Sequence, residues 1–531
     1  MLLLTFLSLL RKSKRPKSEP APAPAPSPPS QPSGRLSSRL EDNLDVLRRV
    51  FGNSSDVIFR EFTLGASGET KAAVAYTECI ANSEIVQRLL ENLMIQAREV
   101  GMSDAAASQP SGMERLLQFT VTVASARIET ELAALTGNML SGHTIVLLDG
   151  EASALTVDTR ETEGRTVSES NVQTVVRGPR DSFTELIRMN TTLVRRRIKD
   201  TRLRVENVQL GCVTRTDVAL MYIDGIVNES VVEEVRRRLK RIEIDGILES
   251  GNIEEFIQDE TFTPFPTMYN TERPDVVAAG LLEGRVAILV DGTPVALLVP
   301  VVFTQFFQSA EDYYNRSDFG FLRMLRFASL LISTFSPALY IAITTYHQEM
   351  LPTVLLVSLA AQREGVPFPA FVEAFLMEAT FEILREAGVR MPRAVGSAIS
   401  IVGALVLGQA AVEAGFVSAA MVIVVSITAI TSFIFPSFSI SIPVRILRFL
   451  MMAGASVFGL YGIFVLMVLI ALHMCSLRSF GAPYMSPIAP YSQKEQQDTF
   501  FRFPLWMQRS RPRFLRPSDK IRGRKSDTSP K

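Results

Sequence analysis

Residues 285–292 read RVAILVDG and 293–300 read TPVALLVP; 142 residues earlier the chain reads HTIVLLDG (143–150) and then ASALTVDT (152–159). Each pair is an apolar run of strand length, an Asp-Gly turn and a second apolar run, the pattern of a β-hairpin. Aligned without a gap, Leu147, Asp149, Gly150, Ala154, Leu155 and Val157 match Leu289, Asp291, Gly292, Ala296, Leu297 and Val299. Upstream, VAYTECIAN (74–82) resembles LMYIDGIVN (220–228), and each precedes a helical pattern. Asp-Gly hairpins are common enough for chance similarity, but the matching upstream block favours duplication of an α/β unit. In the first copy the pattern predicts strands at 56–65 and 71–82 and helices at 83–99 and 127–139. The Asp-Gly pairs are assigned to turn geometry alone.

Outward from these hairpins the chain changes character. It has 531 residues, with 55 basic and 55 acidic side chains, too long for one core. The zero net charge hides an uneven distribution. Residues 1–40 carry seven Lys/Arg and one acid, 41–319 carry 28 and 43, 320–477 carry 8 and 7, and 478–531 carry 12 and 4. An acidic body argues against a nucleic-acid partner, which needs a clustered basic face. Basic ends flanking it suit the anionic inner surface of a membrane, so membrane lipids are expected partners. Met1–Leu10 is apolar but too short to span a bilayer, and reads either as a short interfacial anchor or as a mis-assigned start. PAPAPAPSPPSQPS (20–33) is a polyproline II spacer.

The chain holds three cysteines and three histidines, all scattered, so no metal or disulfide spacing exists. There is no G-x-G-x-x-G, Walker A or G-x-S-x-G motif. The expectation is no enzyme, no catalytic residue, no cofactor and no metal. The arginine runs at 195–197 and 236–238 read first as solvated helix faces and second as subunit contacts.

Beyond residue 320, long stretches free of Lys, Arg, Asp and Glu appear. They predict four transmembrane spans, at about 327–348, 394–412, 415–436 and 449–477, with Pro337 kinking the first. The block 351–388 is ambiguous. Glu373, Glu378, Glu382 and Glu386 lie on its second helix, the last three on one stripe, and such a stripe cannot face lipid. It is either a re-entrant or amphipathic hairpin, the preferred reading, or a span whose acidic face lines water. Four spans put both basic ends in the cytoplasm, yet Arg385, Arg390, Arg393, Arg445 and Arg448 do not then all fall inside. A fifth span would move some of them but export the basic tail. The fold class expected is therefore an α/β soluble region of two related subdomains followed by an all-α multi-pass membrane domain. Its divisions are an apolar start and Pro-rich linker (1–40), subdomain 1 (41–165), subdomain 2 (166–318), the membrane domain (319–477) and a basic cytoplasmic tail (478–531).

Within 394–412, Gly396, Gly403, Gly408, Ala410 and Ala411 permit close helix approach. Val402, Val406, Gln409 and Glu413 share one face. In a ring of identical subunits they would form an apolar constriction, a polar ring and a carboxylate ring, which a gated cation path needs. Periodicity alone fits ordinary helix packing at least as well, with Glu413 at the membrane surface.

Several stretches carry a family resemblance: VRGP (176–179), MYIDG (221–225), NTERPD (270–275), EGRVAILVDGTP (283–294), QSAEDYY (308–314), REGVPFP (363–369), EAFLMEATFEILREAGVRMP (373–392), GQAAVEAGFVS (408–418), FGLYGI (458–463) and FGAPYMSP (480–487). Over about residues 40–490 the chain resembles the A subunit of the spore germination receptors of endospore-forming bacteria. The apolar start, the Pro-Ala linker and the tail after 490 depart from the pattern. The resemblance implies a multi-pass protein of the spore inner membrane with a large cytoplasmic amino-terminal domain. It implies a transporter-like B subunit and a lipoprotein C subunit as partners, with the nutrient pocket in B. It also implies homo-oligomerisation into a channel releasing monovalent cations, which favours the pore reading of 402–413. The alternative is a paralogous non-receptor spore membrane protein, a scaffold or auxiliary channel working with the dipicolinate-release machinery.

Overall fold

The computed structural model describes residues 34–522 except 53, 65–69, 79, 101–111, 121–124, 161–172, 315–319, 391–407, 494 and 506. The first part holds helix α1 (Leu40–Phe51), strands β1 (Val57–Leu64) and β2 (Thr70–Thr77), helices α2 (Ser83–Val100) and α3 (Gly112–Thr120), strand β3 (Ala126–Glu129), helix α4 (Leu132–Leu140) and strands β4 (His143–Leu148) and β5 (Ala154–Asp158). The second repeats the plan with α5 (Ile187–Arg197), β6 (Leu203–Leu210), β7 (Thr216–Ile223), α6 (Glu229–Leu239), α7 (Ser250–Ile257), β8 (Tyr269–Thr271), α8 (Pro274–Glu283), β9 (Val286–Val290) and β10 (Ala296–Val299). The sheets run β1-β2-β4-β5-β3 and β6-β7-β9-β10-β8. Each is antiparallel throughout, and each strand of one has its counterpart at the same place in the other.

Helices cover both faces of each sheet, which is why the central strands are apolar on both sides. On the first sheet α1 and α4 pack beneath Ala73, Ala75, Ile145 and Leu147, while α2 and α3 cover Ala72, Val74, Val146 and Leu148. The duplicated Asp-Gly turns do more than turn. Asp149 Oδ1 accepts from Leu40 N (2.9 Å) and Asp291 Oδ1 from Ile187 N (3.0 Å). Each hairpin aspartate thus satisfies an otherwise orphaned first-turn amide of the helix that opens its own repeat. Residues 127–129, expected as the start of a helix, belong instead to β3, pairing with β5 at the sheet edge; the helix starts at Leu132. Arg195, expected on a solvated face, is 1% exposed and binds Asp56 of the first repeat.

Past residue 300 the chain turns helical. Short α9 (Glu311–Tyr314) leads to α10 (Phe321–Thr345), α11 (Thr353–Arg363), α12 (Ala370–Arg390), α13 (Gly408–Glu413), α14 (Ala419–Ser432) and α15 (Phe438–Ser476). Contacts fix their directions. α10 starts at the α/β region, where Arg323 meets Asp312, and ends where the Tyr346 hydroxyl donates to Ser456 O. α12 and α14 both run back: Glu373 meets Ser418 at the far end and Arg385 meets Ser432 at the near end. α15 is two helices. At Gly459 the backbone leaves helical angles (φ 59°, ψ −139°), Gly454 and Gly462 come against each other, and Ile440 and Met474 join the same apolar cluster at the α/β region. The run 449–477, expected as one span, therefore holds parts of two antiparallel helices, because only glycine takes that conformation in an otherwise helical run. The expected hairpin at 351–388 also differs. α12 is packed lengthwise against α10, α14 and α15, with Glu373 and Glu378 wholly buried.

The tail does not hang free. Residues 477–522 return over the second repeat: Phe303 N donates to Tyr484 O (2.8 Å), Ser518 N to Ile226 O (3.0 Å), and Arg511 Nε to Leu282 O (2.9 Å).

Candidate functional site

The acidic stripe of α12 and two arginines of α15 form a charge ladder through the helical region. Arg448, 0% exposed, donates from Nη1 to Glu378 Oε2 (2.6 Å). Its Nε reaches Ser333 O (2.9 Å) and its Nη2 reaches Ser333 Oγ (2.8 Å). Ser333 O is available because Pro337, one turn on in α10, has no N–H to give it. One rung nearer the α/β region, Arg445 Nη1 meets Glu382 Oε2 at 3.0 Å, with Arg385 3.7 Å from the same carboxylate. At the far end Glu373 Oε1 accepts from Ser418 N (2.6 Å) and Ser418 Oγ, the N-cap of α14. Arg363 stands 3.9 Å from the other oxygen of Glu373. Glu386, at the exposed end, pairs with Arg390.

The mutual repulsion expected of the stripe is thus relieved at Glu378 and Glu382 by arginines from across the bundle. The missed signal lay in spacing: Glu378 and Glu382 are i, i+4 on one helix, and Arg445 and Arg448 are i, i+3 on another, so two rungs can form at once. The same pairing accounts for Arg385, Arg445 and Arg448, which fit no cytoplasmic loop: their charges are balanced inside the bundle.

Of the pore-lining candidates, Val402 and Val406 lie outside the described residues. Gln409 and Glu413 are both exposed on α13, and Gln409 Nε2 donates to Glu413 Oε1 (2.9 Å). Among the described residues no group of His, Cys, Asp or Glu is placed to hold a metal ion. There, Phe321–Thr345 is long and apolar enough to cross a membrane, as is the apolar run Phe438–Ser476 that Gly459 divides.

A second network ties the tail to the base of α10. Arg323 pairs with Asp312 (3.2 Å) and Asp498 (2.9 Å), Arg326 pairs with Asp312 (2.8 Å), and the Tyr313 hydroxyl donates to Asp498 (2.9 Å). Phe327 and Phe500 rings pack beside it, centroids 4.8 Å apart. Burial pushes the Asp498 carboxyl above its ordinary range, against the pull of Arg323.

The paired Glu–Arg rungs, with most of the two repeats and of the docked tail, lie within one stretch that matches a family described as Bacillus/Clostridium GerA spore germination protein, at residues 45–514. The chain belongs to this GerA family. Spore germination protein KA of Bacillus subtilis (strain 168) is 48% identical over 481 residues, 90% of this chain and 87% of that one. Spore germination protein GerLA of Bacillus cereus is 40% identical over 474 residues, covering 89% and 95%. An uncharacterized membrane protein of B. subtilis (strain 168), YfkQ, is 42% identical over 474 residues, covering 89% and 90%. A solved structure, the N-terminal domain of the A subunit of the Bacillus megaterium spore germinant receptor GerK3, aligns with a TM-score of 0.40 and 39% identity over 51% of this chain and 98% of that one. As a GerA family member the chain joins an amino-terminal α/β region to a helical region, and the family's role is spore germination.

Proposed function

We propose that the chain is the A subunit of a nutrient-germinant receptor of the spore inner membrane, working with a transporter-like B subunit and a lipoprotein C subunit and performing no catalysis itself. Copies of it assemble into a nutrient-gated monovalent cation channel. What carries the reading is the match over residues 45–514, running from the α/β repeats through the helical region into the tail.

Helix directions support a multi-pass arrangement of even number. α10 and the first half of α15 lead away from the α/β region; α12, α14 and the second half of α15 lead back. The α/β region and the docked tail meet on one side, so the number of crossings is even and both then lie on the cytoplasmic side. In sequence, Val402, Val406, Gln409 and Glu413 fall between α12 and α14.

The test is reconstitution of the purified chain in liposomes under a potassium gradient. A channel subunit passes monovalent cations, Val406→Ser passes them constitutively, and Glu413→Gln reduces the flux. A chain that passes no current in any oligomeric state is instead a scaffold. A paralogue serving dipicolinate release is separated by spores lacking it: they would respond to every nutrient yet release dipicolinate slowly.

A further inference from the structure

We propose that the docked tail holds a binding site for the phosphate of anionic phospholipid headgroups, formed by Arg513, Arg516 and Lys520 on a frame set by Arg511. The four side chains and Pro517 line a recess of about 510 Å³ that no carboxylate enters. Arg511 is committed to structure. It is 9% exposed, pairs with Asp519 at 2.8 Å, and donates to the carbonyls of Leu282 and Ile521. Arg513, Arg516 and Lys520 are exposed, and no acid among the described residues pairs with them. By contrast, Arg236, Arg237 and Arg238 each have a carboxylate partner within 4 Å.

The loop bearing them is held rigidly. Leu515 is buried, and Ser518 is bonded through N and Oγ to Ile226 O and Val227 O. Three cations are therefore held close together with no carboxylate on their side chains among the described residues, Glu495 being taken up by the backbone amides of Arg513 and Phe514 and Asp519 by Arg511, an arrangement that favours a multiply charged or surface-arrayed anion. A lipid source is favoured by what stands just before the recess. Phe500 packs on Phe327 near the start of α10, while Phe501, Leu505 and Met507 next to it are exposed, as is Phe321 of α10 itself. An apolar, aromatic segment followed directly by free cations fits a membrane–water interface on an anionic leaflet. The inference rests on the membrane placement of α10 proposed above.

The test compares hydrogen exchange of residues 509–522 in the full chain, held in nanodiscs of phosphatidylcholine alone or with a third phosphatidylglycerol. Phosphatidylglycerol should slow exchange there by roughly tenfold or more, three cations each contributing about a factor of five near an anionic surface. The slowing should fade in high salt and vanish in the Arg513→Gln, Arg516→Gln, Lys520→Gln variant, while exchange in phosphatidylcholine stays as in the parent. Equal exchange in both discs, or a phosphatidylglycerol effect that survives the triple substitution, overturns the site. Equal protection by inorganic phosphate in phosphatidylcholine discs overturns the lipid source. Failure to enter discs of either kind overturns the membrane placement and this inference with it.

Discussion

Arg448 and Glu378 form an ion pair at 2.6 Å in which both side chains are 0% exposed. Arg448 also caps the carbonyl that Pro337 leaves free in α10, so one guanidinium joins three helices. Removing one partner strands a buried charge, at a cost of about 3–5 kcal/mol. Glu378→Ala should therefore unfold at markedly lower temperature in detergent, and Arg448→Met should do the same. The double variant should recover part of the loss. Additive losses in the cycle would mean the two charges are not coupled.

Gly459 makes the reversal inside Phe438–Ser476, in a backbone region that costs a side-chain-bearing residue about 1–3 kcal/mol. Gly459→Val should lower thermal stability by at least that much, since His347 and Tyr346 crowd the site. The hairpin also brings its two ends to one side. In right-side-out vesicles, the thiols of Phe438→Cys and of Cys475 should both be protected from an impermeant maleimide, while that of Ser456→Cys, beside the turn, reacts. Labelling of Phe438→Cys with Cys475 protected would remove the reversal.

How far the sequence could be read depended on whether a signal was local. The hairpins at 143–159 and 285–300 are legible because alternating apolar runs around Asp-Gly carry their own register. The helical capping by Asp149 and Asp291 is not, since the capped amides lie 109 and 104 residues away. Two apolar helices joined by a single glycine read as one long run, so 449–477 hides its turn. The stripe on α12 is visible as periodicity, but its burial depends on Arg445 and Arg448, which only the bundle brings near. The tail reads only as a basic end suited to an anionic membrane surface, because its charges are counted before its carbonyl and aromatic contacts exist.

Asp56 and Arg195 link the two repeats at 2.8 Å, 3% and 1% exposed, beside the Ser55 N to Val205 O bond of 2.9 Å. Asp56→Ala should cost about 3–5 kcal/mol by leaving Arg195 unpaired. It should also raise protease sensitivity between the repeats, measurable by limited digestion, while leaving the helical region intact.

Glu254 on α7 has its carboxyl pushed up to about 7 by burial and by the charge of Glu249. A folded-state value above the unfolded one makes ionisation destabilising. The penalty is absent at low pH, grows as pH rises from the unfolded value of about 4.5 through about 7, and is constant above. Glu254→Gln should therefore leave stability unchanged near pH 4 and raise it by about 1–2 kcal/mol at pH 8. Equal effects at both pH values would assign the change to packing instead.

Asp498 ties the tail to α10 through Arg323, which is 0% exposed and among the described residues has otherwise only Asp312 for its charge. Asp498→Ala should cost about 2–4 kcal/mol and free the tail, seen as faster hydrogen exchange across 495–522 with little change in the α/β sheets. Asp498→Asn keeps an acceptor for Arg323 and for the Tyr313 hydroxyl, so it should lose less. Its buried position also makes the neutral amide easier to accommodate than the alanine void. If Ala and Asn behave alike and the tail exchanges as in the parent, the aspartate is a passenger, and the tail is held instead by its aromatic contact with Phe327 and its backbone bonds to Ile226 and Leu282.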